Sequence, residues 1–359
     1  MGSVSAQRTS KWIEGAGPYS DLVISCRVRL ARNVRDLPFP HLMSKEQAGE
    51  LLGRLKQALS NRGARSPDHR MTLYRLRELS PLDRQVLVEK HLISPQHARN
   101  VEKGAVLLRG DEAVSVLVNE EDHLRIQCLY PALQLDEAWR LGGNVDDLLE
   151  RHLDYAFRPD RGYLTACPTN VGTGLRASVM LHLPALVITN QAGRLNSSIV
   201  KLGFMVRGIF GEGTEALGNI FQFSNQITLG RSEAEIIDNL RTVTEQIVEQ
   251  ERSARETLLK ETRGYLEDKV WRAYGILTNA RLLSSAEAIQ LLSEVRLGRD
   301  LGFLPGLTAA GLTELLVATR PGFLQKLADH QLSATERDLH RARLVREKLR
   351  AASGLPQGG

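Results

Sequence analysis

Cysteine is scarce in this sequence, and the cysteines present do not form a recognisable framework. Cys26, Cys128 and Cys167 are widely spaced, and no C-x-x-C pair occurs. Isolated cysteines in odd number predict neither a zinc site nor a set of disulfides. We therefore expect free thiols and no metal site built by the protein.

Long hydrophobic runs are also missing. No apolar stretch approaches the roughly 20 residues of a membrane-spanning helix, and residues 1–20 are polar and rich in glycine. Such a start is unlike the apolar core of a secretion signal. We expect a soluble, cytoplasmic chain with no membrane partner.

Charge of one sign is only slightly in excess, and two common kinase signatures are absent. The formal net charge is +5 over 359 residues, which favours anionic ligands but does not indicate direct nucleic-acid binding. There is no G-x-x-x-x-G-K-[ST] sequence, no HRD and no DFG. These absences argue against a P-loop enzyme and against an ordinary protein kinase.

The segment from Asp21 to Leu30 alternates between apolar and polar residues, as a strand with one buried face does. Its predicted core face carries Leu22, Ile24, Cys26, Val28 and Leu30, and its other face carries Ser25, Arg27 and Arg29. Two arginines at this spacing form a fork of donors suited to phosphate oxygens. A solvated sheet face would look the same. Arg32 and Arg35 follow, and we expect them to leave the sheet.

The segment from Val114 to Tyr130 contains the densest acidic cluster among predicted strands. An apolar run is interrupted by Asn119, Glu120, Glu121 and Asp122, and alternation then resumes with His123, Arg125 and Gln127 on one face. Adjacent carboxylates repel one another and are costly to bury. The cluster is therefore either an acidic turn in water or a base placed beside cations.

Two further segments place an arginine next to glycine-rich sequence. In residues 163–188 a strand is predicted to end at Cys167, and Arg176 follows Gly172 and Gly174. In residues 204–230 Arg207 precedes a glycine-rich stretch that contains Glu212. That stretch predicts either a lid that closes over substrate or a flexible acidic hairpin.

Helical patterns flank these strands and then occupy the remainder of the chain. Ser44 with Gln47, and Ser232 with Glu235, have capping-box spacing at the starts of helices. Helices are predicted at 45–59, 133–157, 233–277, 284–298, 310–318 and 333–351. We expect an α+β fold: an antiparallel sheet flanked by helices, followed by an all-helical C-terminal domain. The predicted divisions are a flexible lead (1–20), a catalytic domain (21–240), a helical regulatory and substrate-docking domain (241–352) and a disordered tail (353–359).

Five arginines lie on or beside predicted strands: Arg27, Arg29, Arg125, Arg176 and Arg207. Their convergence would be prohibitive without counter-charge, and a polyphosphate is the natural anion. The carboxylates of Glu121 and Glu212 would remain for an acceptor. A guanidinium suits them, because it is a planar fork of donors and must lose a proton from a group whose pKa exceeds about 12.

The blocks SCRVRLARN, NEEDHLR, CPTNVGTGLRASV and VRGIFGEGTEA resemble the signature sequences of the phosphagen (guanidino) kinases, over roughly Asp21 to Gly230. The resemblance implies that the five arginines hold the phosphates of ATP, with Mg²⁺ carried mainly by the nucleotide. It extends the ATP-binding set to Ser25, Cys26, Val28, Ala177, Ser178, Val179, Met180, Gly208, Ile209, Phe210 and Gly211. His91 would lie near the base, although a lone histidine among apolar residues is more often structural.

The same resemblance assigns the catalytic groups. Glu121 would be the base that holds the guanidinium, Glu212 its partner carboxylate, and Cys167 the active-site cysteine beside the guanidinium. Phosphagen kinases carry a domain before the first strand that encloses a free amino acid, and here only a short lead precedes that strand. The site is therefore expected to admit an arginine side chain of a polypeptide.

This arrangement is similar to the bacterial protein-arginine kinases of the McsB type. The sequence RDLHRA at 337–342 fits the R-D-x-x-R-A motif of that family, which implies a regulatory phosphoarginine pocket formed by Arg337, Asp338, Arg341 and Ala342. The resemblance implies protein substrates, among them a stress-response repressor. It also implies two kinds of partner, an activator protein and a protease–chaperone, and a homodimer as the oligomeric state. Two alternatives remain: a kinase for free arginine or another small guanidine, and a basic nucleic-acid-binding module on an inactive kinase fold.

Overall fold

The computed structural model describes residues 9–60, 70–208, 217–328 and 330–353. Its centre is an antiparallel sheet of eight strands in the order β2-β3-β4-β5-β1-β8-β10-β9. The strands are β1 (Val23–Arg32), β2 (Met71–Arg75), β3 (Ala105–Arg109), β4 (Val114–Val118), β5 (Leu124–Pro131), β8 (Leu175–His182), β9 (Phe204–Gly208) and β10 (Ile220–Asn225). A separate hairpin pairs β6 (Phe157–Arg158) with β7 (Gly162–Tyr163).

Helices cover the sheet and make up the C-terminal part of the chain. They are α1 (Lys45–Ser60), α2 (Pro81–Glu89), α3 (Pro95–Arg99), α4 (Leu135–Glu150), α5 (Pro184–Ile188), α6 (Ala192–Lys201), α7 (Glu233–Asn279), α8 (Ser285–Asp300), α9 (Ala309–Ala318), α10 (Pro321–Lys326) and α11 (Ala334–Ser353). Both predicted capping boxes are present, at Ser44 with Gln47 and at Ser232 with Glu235. The predicted antiparallel α+β fold is confirmed.

Strand β1 lies at the middle of the sheet, between β5 and β8. Its alternation is as predicted from Cys26 onward, but a bulge near Val23 changes the register. Ile24 consequently leaves the predicted core face and packs with Trp12, while Val23 joins the main core.

Arg32 does not leave the sheet, contrary to expectation. It is the last residue of β1, is 1% exposed, and donates to Asp146 at 2.9 Å. Its guanidinium also lies 3.5 Å from the centroid of the Tyr163 ring. A buried cation requires such a partner, so Arg32 is a structural residue.

The main hydrophobic core lies between the sheet and helices α4 and α7. Val28 and Leu30 of β1 and Ala177 and Val179 of β8 contribute to it from the sheet. Leu141 and Val145 of α4, with Ile237, Leu240 and Ile247 of α7, cover it. One face of the central strands is therefore committed to the core, and their arginines necessarily occupy the other.

The C-terminal helices α8, α9 and α11 form a second core with the later part of α7. Helix α7 continues through the predicted division at residue 240, and its backbone departs from helical geometry at Thr262. Helix α10 was not predicted. Among the helices of the described residues, none combines the length and apolar composition needed to span a bilayer.

The start of the described chain differs from the predicted flexible lead. Residues Lys11–Glu14 form a 3-10 turn in which Trp12 and Ile13 are buried. The Trp12 ring nitrogen donates to the carbonyl of Lys90 at 3.2 Å. Of the predicted tail, residues 354–359 lie outside the described residues.

Candidate active site

A cavity of about 470 Å³ lies on the polar face of the central strands. All five predicted arginines line it: Arg27 and Arg29 from β1, Arg125 from β5, Arg176 from β8 and Arg207 from β9. His91 and Gly208 also line it. Strand pairing thus brings together residues that are up to 180 positions apart in the sequence, counted from Arg27 to Arg207.

Like charges face one another directly within this cavity. Arg29 of β1 is paired in register with Arg176 of β8, an arrangement that destabilises a sheet in the absence of counter-charge. Burial, together with the charges of Arg125, Arg207 and Arg176, lowers the pKa of Arg27 to about 9. Burial, followed by neighbouring arginines, also lowers the pKa of Arg29 and of Arg176. Because a guanidinium keeps its proton in proteins, the cavity holds a surplus of positive charge.

The donors of this cavity fit a polyphosphate. The Nε atoms of Arg27, Arg29 and Arg176 are buried and make no hydrogen bond within the described part of the chain. Arg27 does donate through Nη2 to Gln222 at 3.3 Å. Buried donors without acceptors are costly, and the oxygens of a nucleotide triphosphate would supply both acceptors and negative charge.

The acidic loop between β4 and β5 approaches the same cavity. Glu120 accepts hydrogen bonds from Arg125 and Ser94. Burial alone would raise the pKa of Glu120, but Arg125 and Ser94 outweigh it and hold this pKa below its ordinary value. We call the five arginines that line the cavity (Arg27, Arg29, Arg125, Arg176 and Arg207) the arginine wall. Glu120 is a charged partner of this wall.

Glu121 has the opposite electrostatic balance. The residue as a whole is exposed, although its carboxyl group is partly shielded by surrounding protein atoms. That shielding raises the pKa of Glu121, with a further contribution from Asp122, while Arg125 and Arg176 act to lower it. An accessible carboxylate with a raised pKa beside a cluster of arginines is a suitable general base.

Asp122 and Asn33 connect the acidic loop to the segment that carries Cys167. The Asn33 amide donates to Asp122 at 2.6 Å and accepts from the backbone N–H of His123 at 2.9 Å. Asp122 also accepts from the backbone N–H of Ala166 at 2.7 Å. Asn33 and Asp122 are 2% and 3% exposed, so these bonds fix the two loops relative to each other.

Cys167 comes directly after Ala166, whose backbone N–H donates to Asp122. It is partly exposed, and its sulfur lies 3.0 Å from the hydroxyl of Thr169. His123 was predicted to share a face with Arg125, but it points elsewhere. Its ring accepts from the backbone N–H of Val34 at 2.9 Å and contacts the carbonyl of Pro38 at 2.8 Å.

His91 lies at another side of the cavity. Its backbone is in the left-handed region (φ 59°) and its carbonyl accepts from Gln127 at 2.8 Å. Its ring meets Trp12 edge-on at 5.5 Å. Burial, then the charges of Arg27 and Arg320, lower the pKa of His91 to about 3. The ring is therefore neutral at physiological pH and is suited to packing against an uncharged group.

Some predicted nucleotide residues do not reach the cavity. The side chains of Cys26, Val28, Ala177 and Val179 are buried in the main core, on the opposite face of the sheet. They alternate with the arginines, and a strand sends successive side chains to opposite faces. Ser25, Ser178 and Met180 line a small neighbouring cavity with Arg27 and His91. Ile209, Phe210, Gly211 and Glu212 lie outside the described residues.

Other residues of the cavity were not predicted from the sequence. They are Gln85, Val88, Glu89, Ile93, Ser94, Pro95, Leu117, Gln127, Gln222, Ser224, Ser285, Arg320 and Pro321. Gln222 and Ser224 alternate with two phenylalanines along β10, so the period-two pattern would have found them. Ser285 and Arg320 come from the C-terminal helices, and no local pattern indicates that they reach the sheet.

The predicted phosphoarginine motif lies at the start of α11. Arg341 is 2% exposed and donates to the carbonyls of Thr319 at 2.8 Å and Leu283 at 2.7 Å, and to Asp338. Arg337 is partly exposed and donates to the carbonyl of Leu332 at 2.8 Å. Ala342 is buried in the second core. Of the two arginines, only Arg337 lies partly in solvent, and Arg341 is occupied by backbone carbonyls.

Comparison with known proteins identifies the class to which this fold and site belong. A family model described as ATP:guanido phosphotransferase, C-terminal catalytic domain, matches residues 40–254. The chain therefore belongs to the ATP:guanido phosphotransferases, a family of ATP-dependent enzymes. Within that class it belongs to the protein-arginine kinase family. A model described as protein-arginine kinase McsB C-terminal domain matches residues 263–357, and relatives that align over nearly their whole length carry the name protein-arginine kinase.

Two curated relatives are named protein-arginine kinase. The one from Moorella thermoacetica is 57% identical and covers 97% of this chain and 99% of its own length. The one from Brevibacillus brevis is 55% identical, with 95% of each chain covered. Among solved structures, the duplicated taurocyamine kinase from Schistosoma mansoni with bound transition state analog components has a TM-score of 0.60 and 27% identity, and the match covers 73% of this chain and 39% of that chain.

Proposed function

We propose that this chain transfers the γ-phosphoryl group of ATP to the guanidinium of arginine side chains in proteins. Two features carry the proposal. The first is the cross-strand pair of Arg29 and Arg176 in one cavity, and the second is the nearby carboxyl of Glu121, whose pKa is affected by the charge of Arg176. The first feature calls for a polyphosphate and the second for a cationic acceptor. The names of the relatives support a protein arginine as that acceptor.

Each residue of the site has a role in this reaction. ATP supplies the phosphoryl group, and the five arginines hold its phosphates and stabilise the charge that remains on the departing diphosphate. Glu121 grips two N–H groups of the acceptor and accepts one of their protons as the P–N bond forms and the terminal P–O bond breaks. Glu212 is proposed as the second carboxylate, and Cys167 as a neighbour of the guanidinium.

Magnesium is proposed to be bound mainly by the phosphates of the nucleotide. Mg²⁺ prefers oxygen ligands and would keep several of its waters when it is held with a nucleotide. Glu120 is the nearest described carboxylate to the arginine wall, but Arg125 and Ser94 already occupy its oxygens. The protein's contribution is then the cationic wall rather than a separate set of metal ligands.

The test is phosphoryl transfer to free arginine and to an unfolded arginine-rich protein, offered in parallel with ATP and Mg²⁺. We expect label on the protein that is released by acid and maps to arginine, because a P–N bond is acid-labile whereas phosphoserine is stable. Glu121→Gln should abolish transfer and preserve ATP binding, because an amide cannot take the proton. Rapid label on free arginine alone would instead establish a kinase for small guanidines, and wild-type turnover by Glu121→Gln would remove Glu121 from its role.

A regulatory role is proposed for the C-terminal helices. Arg337 and Asp338 are both partly exposed at the start of α11, so a phosphoarginine could reach a guanidinium fork and a carboxylate there, with Asp338 already accepting from Arg341. Arg341 and Ala342 would support that pocket from the buried side. Arg337→Ala should reduce the response of the enzyme to added phosphoarginine without abolishing basal turnover, measured as ADP release. Complete loss of basal turnover would make Arg337 a catalytic or folding residue.

The wider setting of this activity is also a proposal. The protein-arginine kinase relatives support protein substrates with exposed arginines, and we propose a stress-response repressor among them. We further propose an activator protein, a protease–chaperone that degrades marked proteins, a homodimer and a cytoplasmic location. The described residues divide, on this proposal, into a catalytic domain to about residue 240 and a helical regulatory and docking domain after it.

A further inference from the structure

The arginine-lined cavity has a wall that does not come from the catalytic sheet. Ser285 begins α8, and Arg320 and Pro321 lie at the start of α10, yet all three line the cavity beside His91. Arg320 is only partly exposed. The C-terminal helices therefore take part in the nucleotide pocket itself, and are not merely attached behind it.

Arg320 reaches the cavity from the C-terminal helices, whereas Arg27, Arg29, Arg125, Arg176 and Arg207 reach it from strands of the sheet. Glu89 and Arg341 are the charged groups that act on Arg320, and Arg320 acts with Arg27 on His91. Burial, opposed by Glu89, lowers the pKa of Arg320 to about 10, so this guanidinium is charged at neutral pH. Its place is beside the neutral histidine.

The position of Arg320 is fixed from the catalytic side by α2. The Glu89 carboxylate accepts from the backbone N–H groups of Gly322 at 2.8 Å and Phe323 at 2.9 Å. A Cβ on residue 322 would lie 2.8 Å from that carboxylate, so only glycine permits this close approach. Lys326 of α10 also pairs with Asp83 of α2 at 2.7 Å. Two contacts thus hold α10 against the helix that leads into His91.

The C-terminal side is fixed by Arg341. Its two backbone acceptors are Thr319, which precedes Arg320, and Leu283, two residues before Ser285. One buried guanidinium therefore holds both segments that reach the cavity from the C-terminal region. Arg341 acts here as a positioning residue.

We infer that Arg320 is a nucleotide-binding residue that contacts the base or ribose of ATP, so that the C-terminal helices form the nucleoside wall of the active site. A guanidinium stacks well on a flat aromatic ring and can also donate to hydroxyls. The five sheet arginines already provide the phosphate wall. The inference deepens the proposed kinase function, because it requires that ATP binds in this cavity.

The experiment compares two ligands on the full chain by calorimetry: ATP, and inorganic tripolyphosphate, which has the phosphates but no nucleoside. Arg320→Ala is expected to weaken ATP binding about tenfold, corresponding to the loss of one desolvated cation–aromatic or charged contact. Its tripolyphosphate affinity should stay within about twofold of wild type, which also shows that the cavity is intact. Arg343→Ala is the matched control, because Arg343 is an exposed arginine of α11 that pairs with Glu347 one turn away, and it should leave both affinities unchanged.

Arg320→Lys provides a second variant that keeps the charge and loses the planar fork. We expect it to weaken ATP binding as well, since a point charge does not reproduce stacking or paired donation. Unchanged ATP affinity in both variants would overturn the inference. An equal loss for ATP and tripolyphosphate would overturn it too, by placing Arg320 among the phosphate contacts. Failure of the wild-type chain to bind ATP would refute the proposed kinase function itself, which is a distinguishable result.

Discussion

Asn33 is the residue whose removal should separate catalysis from nucleotide binding. Its amide joins three groups: Asp122 at 2.6 Å, the carbonyl of Leu164 at 3.0 Å and the backbone N–H of His123 at 2.9 Å. Each such bond contributes about 1 kcal/mol, and buried partners left unsatisfied add to the loss. We therefore expect Asn33→Ala to lower the free energy of unfolding by about 3 kcal/mol.

The functional consequence follows from what these bonds position. They hold the loop of Glu121 against the segment that ends at Cys167. The three side-chain partners of Asn33 are Asp122, Leu164 and His123, and none of these is an arginine of the cavity. A displacement of about 1 Å at a reacting group can cost on the order of 100-fold in rate. We expect kcat to fall by about that factor, while the Kd for ATP stays near the wild-type value.

Three measurements test this reasoning: urea unfolding, ADP release at saturating ATP, and calorimetric ATP binding. Asn239→Ala is the control, because Asn239 is exposed on α7 and its replacement should leave all three unchanged. If Asn33→Ala were destabilised but retained wild-type kcat, Asn33 would be a structural residue without influence on Glu121. If ATP affinity fell in parallel with kcat, the inference that Asn33 positions the Glu121 loop without affecting the arginines would be wrong.

Two further predictions concern single ionisable groups. The pKa of Glu121 is raised above the ordinary 4.5, so its carboxylate takes up a proton and loses its function as a base as pH falls through this raised value. The acid limb of a kcat–pH profile, measured by ADP release, should therefore lie above pH 4.5. A midpoint at or below that pH would contradict the assignment of Glu121 as the base. Lys90→Met should cost about 3–5 kcal/mol of unfolding free energy in urea, because Lys90 is fully buried and its removal leaves the buried carboxyl of Glu112 without its cation. Adding Glu112→Gln should recover part of this loss, and no recovery would show that the cost is one of packing.

The arginine wall could be predicted from the sequence because its arrangement follows a local rule. In a strand, residues two apart share a face, so Arg27 and Arg29 had to lie opposite Cys26 and Val28. The antiparallel sheet then placed Arg176 in register with Arg29. The assignment of Cys26, Val28, Ala177 and Val179 to the nucleotide stays a prediction. Alternation buries their side chains in the core, so any contact with the nucleotide would come from their backbone.

The position of Arg320 in the cavity could not be predicted from the sequence, because it depends on how two distant parts of the chain pack. Arg320 precedes a proline in a short helix, and such a context gives no sign of a nearby cavity. Asn33 likewise acts through Asp122 and His123, some 90 positions away. Neither residue shows a periodic pattern, and only the assembled fold reveals their partners.

A sheet that carries five arginines on one face must obtain its stability from the other. Val28, Leu30, Ala177 and Val179 are each at most 1% exposed, and full burial of such an aliphatic side chain contributes about 1.5–3 kcal/mol for valine and leucine. That contribution offsets the repulsion between Arg29 and Arg176 while the cavity is without an anion. The same alternation that builds the core therefore keeps the arginines preorganised, and the proposed binding of a polyphosphate would relieve the repulsion between Arg29 and Arg176.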